Sequence, residues 1–215
     1  MQLIQKYRQS FLDQWFSVDS KLFFLIVCLL YFTSFFLKRL FVYDEIAAFE
    51  VLQERGEMWI MELFFGLEYL VVPIYLAWKF TLTAFIIWVG SFMFGYKLTF
   101  SELWKMVMIM ELVFIIPELG KVLWFLVSAG DPNYHDVVAF YPLSLINLFD
   151  YESLNTRWIY PLKAINVFEA VYWFFLMTGI FWLSNKKWKI SVFIVLSSYG
   201  LFFFLWLIYY LLAYR

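Results

Sequence analysis

The sequence predicts an all-α fold, a polytopic bundle of transmembrane helices. Hydrophobic residues make up 65% of the 215-residue chain, and its mean hydropathy is +0.78, whereas soluble domains are about 45–50% apolar. The apolar residues are gathered into long runs, and roughly 20 helical residues cross a hydrocarbon core of ~30 Å. No stretch between these runs is long enough for a soluble domain. We therefore expect residues 1–215 to form a single integral membrane domain.

Five apolar runs define the expected spans, at residues 22–40, 69–95, 103–128, 163–184 and 189–213. The stretch 58–95 leaves six spans as an alternative, because it could cross the membrane once or twice. Lys and Arg accumulate on the cytoplasmic side of short loops. With five spans and a cytoplasmic N-terminus, the basic turns that hold Lys97 and Lys187 both lie inside. The charge distribution therefore favours five.

The two expected outer loops, 41–66 and 129–161, are too apolar for ordinary solvated loops. In the first loop, apolar side chains alternate with acids at a spacing typical of a helix on the membrane surface. These side chains are Ile46, Phe49, Val51 and Leu52. The second loop holds three of the five prolines. Both loops are expected to rest on the membrane or to cap the bundle.

The chain offers few residues for metal or cofactor chemistry. Cys28 is the only cysteine, and the only histidine, His135, lies beside Asp131 and Asp136. A zinc site needs more nitrogen or sulfur ligands than these. The near-zero net charge gives no basic patch dense enough to follow a phosphate backbone. We expect no metal, no cofactor and no nucleic-acid partner.

Three ionisable residues inside the third run are the candidate functional site. Glu111 and Glu118 are seven residues apart, so they share one face of a uniform α-helix, and Lys121 follows Glu118 at i+3. A charge at the bilayer centre costs at least ~2.5–3.5 kcal/mol on insertion scales, so it faces a partner or water. One interpretation is a proton or ion path. The other is a polar seam, in which Glu118 pairs with Lys121 and Glu111 hydrogen-bonds to a neighbouring helix.

Other polar residues and prolines lie near the expected span ends and inside the spans. Pro73 and Pro117 are predicted helix kinks, because proline lacks the backbone N–H that its turn requires. Possible interhelical contacts are predicted for Glu68, Asn166 and Glu169.

Enzyme classes fit the sequence poorly. An intramembrane serine protease needs a histidine base within the bundle, and a zinc protease of the His-Glu-x-x-His kind needs two histidines. The aspartates all lie in tails or loops, so paired intramembrane aspartates are not expected either. We predict that the protein is not an enzyme.

The order of landmarks from Phe92 onward resembles the Yip1 domain family. A span ends at Gly95, a short basic turn follows, and the next span contains Pro117. After an irregular loop come the run Ile165-Asn166-Val167-Phe168-Glu169, Gly179 within a span, a second basic turn, and a last apolar span. The resemblance covers about 120 residues and implies five transmembrane helices with a cytoplasmic N-terminus. It also implies a role in membrane organisation through partners.

The chain departs from the eukaryotic branch of that family, whose long cytosolic N-terminal region engages small GTPases. A bacterial cytoplasmic membrane is therefore the expected location. The leading hypothesis is a non-enzymatic integral membrane subunit that binds or organises other membrane proteins. Its expected partners are membrane lipids and other integral membrane proteins, in a hetero-complex or a homo-oligomer. The alternative is a small transporter or channel component with Glu111, Glu118 and Lys121 along its path.

Overall fold

The computed structural model describes residues 19–43, 54–127, 134–150, 153–184 and 187–214. Within them the regular elements are helical, apart from one isolated bridge between Ser144 and Asn166. The predicted surface helix around Ile46 and Phe49 lies outside these residues. The same holds for Asp131 and for the side chain of His135.

Among the described residues, four helices are long and apolar enough to cross a membrane. The chain is therefore an all-α protein with the architecture of a multi-span helical membrane protein, as the sequence predicts. The four helices are α1 (Ser20–Lys38, continued by a π-helical turn at Arg39–Tyr43), α2 (Met58–Met93), α7 (Val167–Ser184) and α8 (Trp188–Ala213, with a π-helical turn at Leu196–Gly200).

The stretch 58–95 forms one helix, α2, without an internal turn. Its 36 residues extend ~54 Å at 1.5 Å per residue, which exceeds a hydrocarbon core of ~30 Å. Pro73 lies inside it. At its end Gly95 has a φ of +74°, and the Tyr96 and Gly95 N–H groups donate to the carbonyls of Ser91 and Phe92, both at 2.9 Å. This is a Schellman C-cap, which favours glycine because it needs a left-handed residue.

The predicted span 103–128 is broken in the structure. It comprises α3 (Phe100–Met110), a 3₁₀ turn at Glu111–Phe114 and α4 (Ile115–Val127). Thr99 caps α3 through a capping box with Glu102. Pro117 falls in the first turn of α4, where the missing N–H would have no intrahelical acceptor in any case. The proline is thus placed where the α-helix restarts.

The second predicted outer loop contains short helices, α5 (Tyr134–Ala139), a 3₁₀ turn (Leu145–Leu148) and α6 (Thr156–Ala164). The predicted span 163–184 differs from the structure at its start, because α6 ends at Ala164 and α7 begins at Val167. The Asn166 side chain accepts a 2.8 Å hydrogen bond from the Glu169 N–H and so caps α7. The Leu145 N–H donates to the Ile165 carbonyl at 3.0 Å, which ties the loop to this break.

The chain divides into two compact units. The first unit comprises Met1–Val27, Ala77–Leu112 and Val171–Ile208. In its core, Phe24 of α1 packs edge-on against Phe80 of α2, and Trp104 of α3 contacts both rings. Gly179 of α7 faces methionine side chains of α3.

The second unit comprises Cys28–Leu76, Val113–Ala170 and Tyr209–Arg215. Its best-defined apolar cluster joins Val42 after α1, Phe125 of α4 and Val137 of α5. Aromatic and methionine side chains surround it, namely Phe41, Met61, Phe65 and Phe140. This cluster fixes α5 against α4 and so positions the polar groups described next.

Candidate functional site

A buried ion pair lies in the first unit, between Lys79 of α2 and Glu111. The Lys79 Nζ and Glu111 Oε1 atoms are 2.5 Å apart. The Glu111 side chain is completely buried, whereas 26% of the Lys79 side chain is exposed. Glu111 is the first residue of the 3₁₀ turn between α3 and α4. The break in the predicted third span therefore coincides with an acid that is neutralised by another helix.

A second ion pair lies in the second unit, between Lys38 and Glu118. Lys38 ends α1 and Glu118 lies in the first turn of α4, and their side chains are 11% and 21% exposed. The Lys38 ammonium also lies 4.7 Å from the centre of the Phe35 ring, a cation–π distance. Glu118 is thus held by a cation from a different helix.

Lys121 binds the backbone of α5. Its ammonium donates to the carbonyl of Val137, and the side chain is buried. The predicted Glu118–Lys121 pair is not formed, since Glu118 has Lys38 as its ion-pair partner among the described residues. An i+3 spacing permits such a pair on an isolated helix, but here the carbonyl groups of α5 are closer.

Lys163 of α6 makes the same kind of contact one residue further along α5. Its ammonium donates a 2.9 Å hydrogen bond to the Val138 carbonyl and lies 5.9 Å from the centre of the Tyr141 ring. Cations favour the C-terminal end of a helix, where the last carbonyls lack intrahelical donors. Two lysines from different helices thus hold the end of α5.

Further charges surround this second group. Glu68 of α2 lies within electrostatic range of Lys38 and Glu118. Lys121 lies within such range of Lys163, Lys38 and Glu118. We call these five residues the lysine cluster; it holds three cations and two carboxylates.

The sequence-predicted site residues are divided between the two units. Glu118 and Lys121 belong to the lysine cluster with Glu68, whereas Glu111 pairs in the first unit. The shared face expected for Glu111 and Glu118 assumed a uniform helix. The 3₁₀ turn that starts at Glu111 rotates the chain by ~120° per residue instead of ~100°, so that assumption does not hold here.

Three cations of these sites were missed by sequence reasoning. Lys38 and Lys163 each look like an ordinary membrane-edge lysine in the sequence. The only available signal was that Lys79 lies inside an apolar run, which is rare for an unpaired charge.

Of the predicted interhelical residues, Asn166 caps α7, and the Glu169 N–H donates to it.

The ion pairs restrict what these sites can do chemically. A buried pair is stable only when its geometry and hydrogen bonding offset the desolvation of both charges. Each acid here is bound by a lysine, so neither is a lone carboxyl group in an apolar pocket. In the part of the chain that the structure describes, no group of three or more His, Cys, Asp or Glu residues could hold a metal ion.

No protein family, curated protein or solved structure matches this chain.

Proposed function

We propose that the protein is a non-enzymatic integral membrane subunit that binds or organises other membrane proteins, in the manner of the Yip1 family. The observation that carries this proposal is the pairing of the intramembrane acids. Glu111 and Glu118 are each bound by a lysine of another helix. Charges held in this way fix helix packing, where lipid provides no hydrophobic driving force.

The outer face of α2 supports the same proposal. Trp78, Phe85 and Phe92 are spaced seven residues apart, so they lie along one face of the helix. They are 65%, 51% and 73% exposed. A row of exposed aromatic rings offers large contact area to lipid or to a helix of a partner, and aromatic residues are enriched in protein interfaces.

The experiment is extraction of the tagged protein from its native membrane in a mild detergent, followed by identification of co-purifying proteins and measurement of mass. We expect a complex that is lost in the Phe85→Ala/Phe92→Ala variant. It should be retained in the control Leu205→Ala, which changes a residue of α8 that is 53% exposed, close to the 51% of Phe85. A monodisperse monomer that co-purifies with no other protein contradicts the proposal.

A transporter remains the second candidate, because the lysine cluster brings five titratable groups together inside the second unit. The Glu118→Gln variant distinguishes a transporter from a structural subunit. If the protein is a transporter, this variant should assemble normally and lose flux. If Glu118 stabilises packing, the variant should lower thermal stability or complex formation.

The proposed membrane arrangement has five crossings and a cytoplasmic N-terminus in a bacterial inner membrane. It requires Phe100–Val127 to cross despite its 3₁₀ turn. In a Cys28→Ser background, the variants Lys97→Cys and Lys187→Cys should then react with an impermeant thiol reagent from the same side. Labelling from opposite sides would show that this segment does not cross.

A further inference from the structure

An apolar pocket lies in the second unit, at the end of α5 that Lys121 and Lys163 contact. Its volume is ~500 Å³, which is within the usual range for small-molecule sites. The Trp124 ring stacks on Phe140 with centroids 5.2 Å apart. The lining residues are Trp124, Ala139, Phe140, Pro142, Leu143, Ile146, Asn147 and Phe149. Asn147 is the one amide side chain among these lining residues, and it donates to the Tyr141 carbonyl. The other lining side chains are mainly hydrocarbon.

The stretch of chain that lines this pocket also carries the contact of Lys163. The Val138 carbonyl accepts from the Lys163 ammonium, and the next two residues line the pocket. In the described residues Lys163 makes this one hydrogen bond and has no carboxylate within 4.0 Å. An ammonium has three donors, so two N–H groups remain for a ligand.

The charge balance near Lys163 favours an anion. Glu118 is already paired with Lys38, whereas the hydrogen bonds of Lys121 and Lys163 among the described residues go to backbone carbonyls. Lys163 is therefore a cation that no carboxylate of the described residues neutralises by direct contact. An ammonium with unused N–H groups can bind an anionic head group through charge-assisted hydrogen bonds.

We propose that this pocket binds an anionic amphiphile, with its hydrocarbon chain against Trp124 and Phe140 and its negatively charged head group on Lys163. The apolar lining excludes water from the chain, and the ammonium provides a charge-assisted hydrogen bond to the head group. The proposal is independent of the proposed subunit function, since a monomer could bind the same ligand.

The environment of Lys163 agrees with this assignment. Burial lowers the pKa of the Lys163 ammonium below its ordinary value, and nearby Lys38 lowers it further, while Glu118 opposes the shift. A bound anion would stabilise the charged form.

The test measures thermal unfolding of the purified protein in a nonionic detergent with three probes: dodecyl phosphate, inorganic phosphate and dodecanol. Only dodecyl phosphate should raise the midpoint, because a ligand that binds the folded state stabilises it by an amount that rises with the logarithm of its concentration divided by Kd. Equal stabilisation by inorganic phosphate would indicate a plain anion site and overturn the proposal. Equal stabilisation by dodecanol would overturn it by showing that charge is irrelevant.

Two variants test separately the contact with the head group and the apolar lining of the pocket. Lys163→Met should weaken dodecyl phosphate binding about 10-fold or more, the effect of losing one hydrogen bond to a charged group. Phe149→Asp places a like charge in the lining at an exposed position and should weaken binding if Lys163→Met fails to fold. The control is Lys187→Met, an exposed lysine outside the pocket. Unchanged affinity in both pocket variants would refute the site.

A vesicle experiment separates the sources of the ligand. Protein reconstituted in phosphatidylcholine with phosphatidylglycerol is extracted, and the retained lipid is identified by native mass spectrometry. Preferential retention of phosphatidylglycerol that Lys163→Met removes indicates a membrane phospholipid. Retention of neither lipid, with dodecyl phosphate binding intact, indicates a single-chain anion.

The affinity should also depend on pH. Because the Lys163 pKa is lowered, the ammonium loses its proton at a lower pH than an ordinary lysine does, so affinity should also fall at a lower pH than it would for an ordinary lysine. Dodecyl phosphate keeps a constant charge above pH ~8, because the second pKa of a phosphate monoester is ~6. The charged groups within electrostatic range of Lys163 are Glu118, Lys38 and Lys121, and α5 itself carries Asp136. A pH dependence that persists in Lys163→Met would assign it to one of these groups and contradict this role of Lys163.

Discussion

The Lys79–Glu111 pair gives the sharpest test of the packing role proposed for the buried charges. The perturbation is a double-mutant cycle of Lys79→Met, Glu111→Leu and the combined variant. Removal of one partner of a buried ion pair costs ~3–5 kcal/mol, because an uncompensated charge stays in the interior. The loss of stability in Lys79→Met should fall at the upper end of this range, since Glu111 is fully buried. Glu111→Leu should cost less, because a partly exposed lysine can extend its ammonium towards water.

Thermal unfolding in a nonionic detergent, followed by tryptophan fluorescence, measures these effects. At ~2–4 °C per kcal/mol for chains of this size, the single variants should lose about 6–20 °C. The combined variant should recover most of that loss, because apolar residues of similar volume often replace a buried pair at little cost. The control is Arg39→Met, which breaks a largely exposed contact of 3.9 Å with Glu62 and should change stability by less than ~1 kcal/mol.

Additive losses in the combined variant would refute this reasoning. The two side chains would then contribute independently, and the 2.5 Å contact would carry no coupling energy. Unchanged stability in Lys79→Met would refute it equally, since it would mean that Glu111 does not need its cation. Either result would return Glu111 to the list of candidates for proton transfer.

Two further predictions concern helix packing and helix capping. Gly90→Ala should destabilise the protein by ~1–3 kcal/mol through overpacking, because an added Cβ would lie 2.6 Å from the Ser198 Cβ. Gly66→Ala in the same helix meets nothing within 4 Å and should be neutral or stabilising by up to ~1 kcal/mol; equal losses in the two variants would contradict the packing. Asn166→Ala should lower the free energy of unfolding by ~1 kcal/mol through loss of the cap on α7. A thermal unfolding midpoint unchanged from wild type would show that the Asn166–Glu169 hydrogen bond does not stabilise the protein.

Much of the helical layout could be predicted from local sequence. Long apolar runs predicted the helices that could span a membrane, since run length and composition are properties of the segment itself. Gly95 and the Thr99/Glu102 box mark the end of α2 and the start of α3 for the same reason. The break within 103–128 was not predicted, although Pro117 marks its neighbourhood. A proline predicts disruption but does not decide between a kink and a restart of the helix.

The candidate site could be predicted only in part. The cost of a charge in lipid identified Glu111, Glu118 and Lys121 as residues that need partners, but it could not name those partners. Lys79 and Glu111 are 32 positions apart in the chain, so their contact depends on how α2 packs against the turn after α3. The apolar pocket likewise depends on where α5 lies against α4, and no periodicity in the sequence indicates it.

The sequence alone determined that this is an all-α protein with helices long and apolar enough to span a membrane, because hydrophobic length is read segment by segment. It also determined which residues inside those helices carry charge. The tertiary structure decided that Glu111 pairs with Lys79, that Glu118 pairs with Lys38, and that Lys121 and Lys163 bind the end of α5. Pairing across helices depends on their packing, and packing is a property of the whole chain.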